Sequence, residues 1–165
     1  MHPIIFVGPM GAGKSTLAKK LAKQLGRDFV DTDRLIEAEH GPITEIFDSK
    51  GESHFRDLET AAFETAIDTA GVVATGGGVV LSSNNRELMK RGVVVFLDTT
   101  QDAVVGRVNL EKRPLLKNNP DRWQEIYDQR LALYREVADI EVFTGTRPIK
   151  DLLAEISEKI EHHEL

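Results

Sequence analysis

Ile4-Ile5-Phe6-Val7-Gly8-Pro9-Met10-Gly11-Ala12-Gly13-Lys14-Ser15 decides how the rest of this chain is read. Four apolar residues run into Gly8, and from Gly8 to Ser15 the order matches the phosphate-loop pattern G-x-x-x-x-G-K-S in full. The context fits as well, with a buried strand running in and an amphipathic helix over Lys14–Leu25 running out. Glycines permit a turn sharp enough to aim successive N–H groups at one oxyanion. The helix N-terminus adds partial positive charge there. Lys14 is placed to bridge the β- and γ-phosphates of a nucleoside triphosphate, and the Ser15 hydroxyl to ligate magnesium. Gly11, Ala12, Gly13, Lys14, Ser15 and Thr16 are the expected nucleotide contacts. A strand-to-helix turn that binds nothing is the plain alternative, and the complete match in the required context argues against it. The loop is silent on the second substrate.

Working outward, short apolar runs alternate with longer segments of helical period. Ile4–Val7, Phe29–Val30, Val72–Ala74, Val93–Leu97 and Ile140–Phe143 read as buried strands. Helices are expected over Lys14–Leu25, Arg34–Glu39, Ser53–Asp68, Asn84–Arg91, Asp102–Leu110, Asp121–Ala138 and Ile149–Ile160. The alternation predicts an α/β, three-layer P-loop NTPase fold, its parallel sheet flanked by helices on both faces. Right-handed crossovers then bring strand C-ends and helix N-termini to one edge, where a ligand binds. One stretch differs: Glu111-Lys112-Arg113-Pro114-Leu115-Leu116-Lys117-Asn118-Asn119-Pro120 is charged and carries two prolines. Such a loop is a surface excursion or a mobile lid, here expected over about residues 109–122.

Composition bounds the rest. The 165 residues fit a single domain over 1–165, long enough to bury roughly 70% of its unfolded surface. A net charge of −6 argues against nucleic acid or an anionic membrane as the main partner, but not against a small anion in a locally basic pocket. With no cysteine, disulfides and thiolate zinc sites are excluded. The N-terminal apolar run is too short for a signal peptide or a membrane span.

Acids and arginines stand where a purely structural chain has little use for them. Asp31 and Asp33 end the second strand, and residues two apart on a strand share a face. One of them can cap the next helix; capping explains one acid well and two poorly. Asp31 is therefore expected near magnesium, through water, and Asp33 at an acceptor hydroxyl. Gly76, Gly77 and Gly78 follow the third strand on the ligand edge, where glycine lets backbone approach a ligand. In the helix from Asp121, Trp123, Ile126, Tyr127, Tyr134 and Val137 form an apolar stripe with Arg130 in its middle. A buried guanidinium needs either an internal acid or an anionic ligand, and this helix alone supports both equally. In the helix from Ser53, Glu59 lies within the stripe of Phe55, Leu58, Ala62 and Ala66, and Arg56 sits one turn away. An i,i+3 pair there orients the arginine. A triphosphate, a base and several arginines on one edge describe phosphoryl transfer to a small hydroxylated acid. Arg113 is placed to close over the phosphates and exclude water.

These residues resemble the shikimate kinase family along nearly the whole chain. The likeness lies in the phosphate loop, Asp31-Thr32-Asp33, Phe55-Arg56-Asp57-Leu58-Glu59, Gly76-Gly77-Gly78, Arg113-Pro114-Leu115-Leu116, and Arg130 with Leu133-Tyr134. The resemblance implies a five-stranded sheet of order 2-3-1-4-5 and phosphorylation of the 3-hydroxyl of shikimate by ATP with Mg2+. It implies that Asp33, Arg56, Gly76, Gly77, Gly78 and Arg130 hold shikimate, the arginines taking its carboxylate, while Phe47 and Phe55 form apolar walls. Lys14 and Arg113 stabilise the transferring phosphate, Arg107 and Pro148 flank adenine, and Ser15 and Asp31 serve the metal. Such proteins are typically cytoplasmic and often monomeric. The stretch His40-Gly41-Pro42-Ile43-Thr44 is one residue shorter than the family's usual turn.

Two rivals share parts of the pattern. Another small-molecule P-loop kinase, acting on gluconate or a nucleoside monophosphate, has no need of Asp33, Arg56 and three glycines together. A nucleotide-dependent switch is hinted at by Asp68-Thr69-Ala70-Gly71, but that stretch ends a helical pattern and no Asn-Lys-x-Asp motif accompanies it.

Overall fold

Every apolar run read from the sequence is a strand of one parallel sheet: β1 (Ile4–Val7), β2 (Phe29–Asp31), β3 (Val72–Ala74), β4 (Val93–Asp98) and β5 (Ile140–Phe143). The computed structural model describes residues 2–69, 71–105 and 121–164. The strand order is β2-β3-β1-β4-β5, with every pairing parallel. That is the expected order. β1 is central, its Ile4, Ile5 and Phe6 facing Val72, Val73 and Ala74 on one side and Val93, Val94 and Val95 on the other. A strand paired on both edges and covered on both faces has no polar position to offer, which is why it reads as an unbroken apolar run.

The helices are α1 (Lys14–Leu25), α2 (Thr32–His40), α3 (Ile43–Ile67), α4 (Ser83–Met89), α5 (Gln101–Val104), α6 (Arg122–Val137) and α7 (Ile149–Glu164). Ile4, Phe6, Val95 and Leu97 pack with Leu17 and Leu21 of α1 and Ile156 of α7 on one face of the sheet. Ile5, Val7, Val94 and Phe96 pack with Phe63 of α3, Met89 of α4 and Tyr134 of α6 on the other. Each such side chain contributes about 1.5–3 kcal/mol by leaving water, and this burial fixes the helices more than their own propensity does.

Three boundaries differ from expectation in ways that matter for the site. β2 runs one residue further, to Asp31, whose carboxylate caps α2 by accepting from the N–H groups of Asp33 and Arg34 at 3.0 and 3.3 Å. Asp33 therefore lies in the first turn of α2 and not on the strand beside Asp31. α3 begins at Ile43, ten residues before the expected helix, and is broken at Gly51 (φ 84°, ψ 170°) into two helical halves. A short 3-10 turn, Val79–Leu81, follows the three glycines. The expected lid and the end of the Asp102–Leu110 helix lie outside the described residues, apart from Asp121, which precedes α6, and Arg122, which begins it. Among the described residues no helix is long and apolar enough to cross a membrane.

Candidate active site

The loop between β1 and α1 turns through three residues of positive φ, Gly8 (146°), Gly11 (82°) and Gly13 (97°). Gly13 occupies the N-cap position of α1 in the left-handed region, where a Cβ is strained. It supplies no capping side chain, and the first turn of α1 contains no acid. The positive end of α1 is thus uncompensated by its own sequence and faces the loop, the electrostatic requirement of a phosphate cradle. Lys14 is buried and its Nζ donates to the carbonyls of Gly8 (2.7 Å) and Pro9 (2.9 Å), which places a full positive charge under the loop. From α6, the indole N–H of Trp123 donates to the Met10 carbonyl at 2.8 Å and anchors the loop to a second element.

Ser15 follows on α1, and its Oγ donates to Oδ2 of Asp31 at 2.6 Å. Asp31 spends its other carboxylate oxygen on capping α2, the structural role that the sequence allowed for one of the two acids. A hydroxyl and a carboxylate oxygen in contact beside the phosphate loop are hard donors suited to Mg2+. Among the described residues no cluster of three or more His, Cys, Asp or Glu offers a metal cage.

A second set of side chains converges over the three glycines after β3. A Cβ on Gly76 would lie 2.9 Å from Oδ1 of Asp33 and 3.0 Å from Oε2 of Glu59. At Gly77 it would lie 3.5 Å from Nη1 of Arg130, and at Gly78 only 2.6 Å from Cζ of Arg56. Two acids and two arginines, from α2, α3 and α6, therefore share one glycine floor that any larger residue would displace. Phe55 lies under the Arg56 guanidinium (5.2 Å to the ring centroid) and packs on Phe47 at 4.9 Å across the Gly51 break. The break brings the two rings together from separate halves of α3.

Glu59 is 1% exposed and accepts from Nη1 of Arg56 at 3.0 Å. Burial raises its pKa above the ordinary carboxylate range; the Arg56 charge opposes that rise and Asp33 adds to it. The pair expected from the i,i+3 spacing is therefore present, with its acid inside and its arginine at the cleft. Arg130 is also buried, at 6% exposure. Among the described residues no carboxylate lies within 4 Å of its guanidinium, whose charge acts on the phenol of Tyr134 and, from further off, on the buried carboxyl of Glu59.

Pro148 lies exposed just before α7, and its carbonyl accepts from the N–H groups of Asp151 and Leu152. Arg107 and Arg113 lie outside the described residues. Sequence reading assigned Trp123 and Tyr134 to an apolar stripe and missed what their polar tips do. The signal was available in residue type: a buried Trp or Tyr used where Phe would pack equally well implies a partner for its N–H or O–H. Tyr127 follows the same rule, donating to Oδ1 of Asp98 at 2.7 Å.

The Gly78 contact yields a direct test. In Gly78→Ala the new methyl must displace the Arg56 guanidinium, disturbing its bond to Glu59. The KM for the acidic acceptor is expected to rise about tenfold, the scale of one charged hydrogen bond. The KM for ATP stays unchanged in steady-state assays, and equal rises in both would count against Arg56 acting at the acceptor.

A phosphate loop with a hydroxyl–carboxylate pair beside it, next to a cleft of acids and arginines, defines a P-loop kinase of small molecules. The shikimate kinase family model matches residues 10–161, and the chain belongs to that family. It is 42% identical to a shikimate kinase of Vibrio cholerae, covering 97% of this chain and 95% of the relative. It is 46% identical to one from Psychrobacter arcticus, covering 86% and 80%. Among solved structures, a shikimate kinase from Acinetobacter baumannii in complex with shikimate superposes with a TM-score of 0.95 at 39% identity, over 100% of this chain and 96% of that one. A shikimate kinase from Aquifex aeolicus gives 0.84 at 32% identity, covering 99% and 98%.

Proposed function

We propose that the chain transfers the γ-phosphoryl group of ATP to the 3-hydroxyl of shikimate, giving shikimate 3-phosphate and ADP. The observation that carries this reading is the convergence of Asp33, Glu59, Arg56 and Arg130 over Gly76–Gly78, on the sheet edge that holds the phosphate loop. A buried arginine with no carboxylate within 4 Å among the described residues suits a substrate that brings its own, and two acids suit a polyhydroxylated ring.

The division of labour follows from placement. The loop N–H groups, Lys14 and the N-terminus of α1 hold the triphosphate and take up charge as it shifts towards the leaving group. Ser15 and Asp31 would hold Mg2+, which would neutralise phosphate charge. Arg56 and Arg130 grip the acceptor carboxylate, with Phe47 and Phe55 against the ring. The acceptor oxygen forms a bond to the γ-phosphorus as the bond to the β,γ-bridging oxygen breaks, and its proton passes to Asp33. Arg107, Arg113 and Pro148 complete the nucleotide side of the reading. We place the enzyme in the cytoplasm.

The test is ADP release from ATP and magnesium with shikimate, set against gluconate and nucleoside monophosphates as acceptors. Turnover that depends on shikimate is expected. Activity with a different acceptor alone would keep a P-loop kinase and remove the substrate assignment; no activity with any would remove the kinase reading.

A further inference from the structure

Tyr134 is 1% exposed, and its ring stacks on Phe96 of β4 with centroids 5.2 Å apart. Packing alone would be served as well by phenylalanine, yet the hydroxyl is used. It donates to the Gly77 carbonyl at 2.6 Å, and the charge of the Arg130 guanidinium, one turn back on α6 and with Nη1 3.5 Å from where a Gly77 Cβ would lie, acts on the same phenol. The carbonyl of Gly77 and the N–H of Gly78 belong to one planar peptide group and point in opposite directions. Fixing the carbonyl therefore fixes the direction in which the Gly78 N–H is presented. That matters because glycine is the residue least able to hold its own peptide orientation.

We infer that Tyr134 is a positioning residue for the acceptor site, its single hydroxyl setting both the Arg130 guanidinium and the Gly77–Gly78 peptide against each other. This inference rests on the acceptor reading given above. The phenol does not touch the acceptor; it acts through a side chain and a peptide that do. Burial raises the phenol pKa to about 12, with Arg130 opposing the rise, so the hydroxyl keeps its proton at working pH and remains a donor. The three groups come from distant parts of the chain, β3's following loop and α6, and the phenol oxygen is where they meet. Loss of the hydroxyl leaves the ring bed intact, frees the peptide to rotate, and releases Arg130 to other rotamers. Those are changes in acceptor recognition, not in nucleotide binding.

The experiment is Tyr134→Phe, with KM for shikimate, KM for ATP, kcat and the melting temperature measured on the full chain at 25 °C. The shikimate KM is expected to rise about tenfold, as for loss of a buried hydrogen bond. The ATP KM stays within about twofold on the same reasoning. In an Arg130→Lys background the same change is expected to add little, because residues that act through one another are not additive. An unchanged shikimate KM, a parallel rise in both KM values, or simple additivity with Arg130→Lys would overturn the inference. Phe96→Leu keeps the hydroxyl and loosens the ring bed, and it stands in should Tyr134→Phe fail to fold. It is expected to lower the melting temperature while leaving the shikimate KM unchanged, and a selective rise there would equally overturn the inference. An unmodified chain with no shikimate turnover would instead remove the underlying acceptor reading before any variant is compared.

Discussion

In Asp33→Asn, turnover is expected to fall by about 10²–10⁴-fold, the range for loss of a general base, while ATP binds as in the unmodified chain. Asparagine preserves the size and the backbone N–H that Asp31 caps, so the first turn of α2 stays closed. What it removes is the negative charge above Gly76 and, on the proposed reading, the proton acceptor. Because Asp33 helps keep the Glu59 pKa high, its neutralisation also favours the ionised form of Glu59, which tightens the Arg56–Glu59 pair. The acceptor KM is therefore expected to change far less than kcat. The measurements are kcat by ADP release and ATP affinity by calorimetry. Loss of ATP binding would move Asp33 to the metal or to the fold. A fall of less than about tenfold would leave it orienting the hydroxyl without accepting the proton.

In Arg130→Ala, acceptor binding is expected to weaken by about 10²–10³-fold, since truncating one partner of a buried charged pair typically costs several kcal/mol. Folding is expected to survive. Among the described residues no carboxylate within 4 Å is orphaned by the change, and removal of a buried charge relieves a desolvation penalty. The Tyr134 phenol loses a neighbouring charge but keeps its bond to the Gly77 carbonyl. A melting temperature lowered by only about 2–4 °C corresponds to a loss near 1 kcal/mol in a chain of this size. Affinity titration of shikimate alongside a thermal melt reads both. If the cooperative melt disappears, the guanidinium is a structural member of α6 and not a ligand-binding group.

The sheet was legible because its strands are saturated with apolar side chains: Ile4–Val7 and Val93–Leu97 admit no other reading at that length. Arg130 was legible for a related reason, as one charge inside a stripe that was otherwise apolar. What the sequence concealed was set by single residues acting locally or by contacts across the chain. The first half of α3 carries Ile43, Ile46 and Phe47 at helical spacing, but Gly51 interrupts the period before it is long enough to stand out. Asp33 was placed on the strand because the pattern of alternating acids does not reveal that Asp31 turns its carboxylate back onto the next helix. The phenol of Tyr134 reaches a carbonyl 57 residues away, and periodicity reports which way a side chain faces but not what its tip meets.

The strand order has a consequence for how such a catalyst can change. Most of the groups proposed to recognise the acceptor, from Asp33 to Gly78, lie in one stretch of chain between α1 and β4, which the order β2-β3-β1 brings back beside the phosphate loop. The phosphate loop lies before it, and α6 reaches back to it from beyond. Heritable variation in that interval can redirect the choice of acceptor while the energy-transferring half is inherited intact. The arginine and tyrosine of α6 are the constraint on that freedom, since any replacement interval must still dock against them.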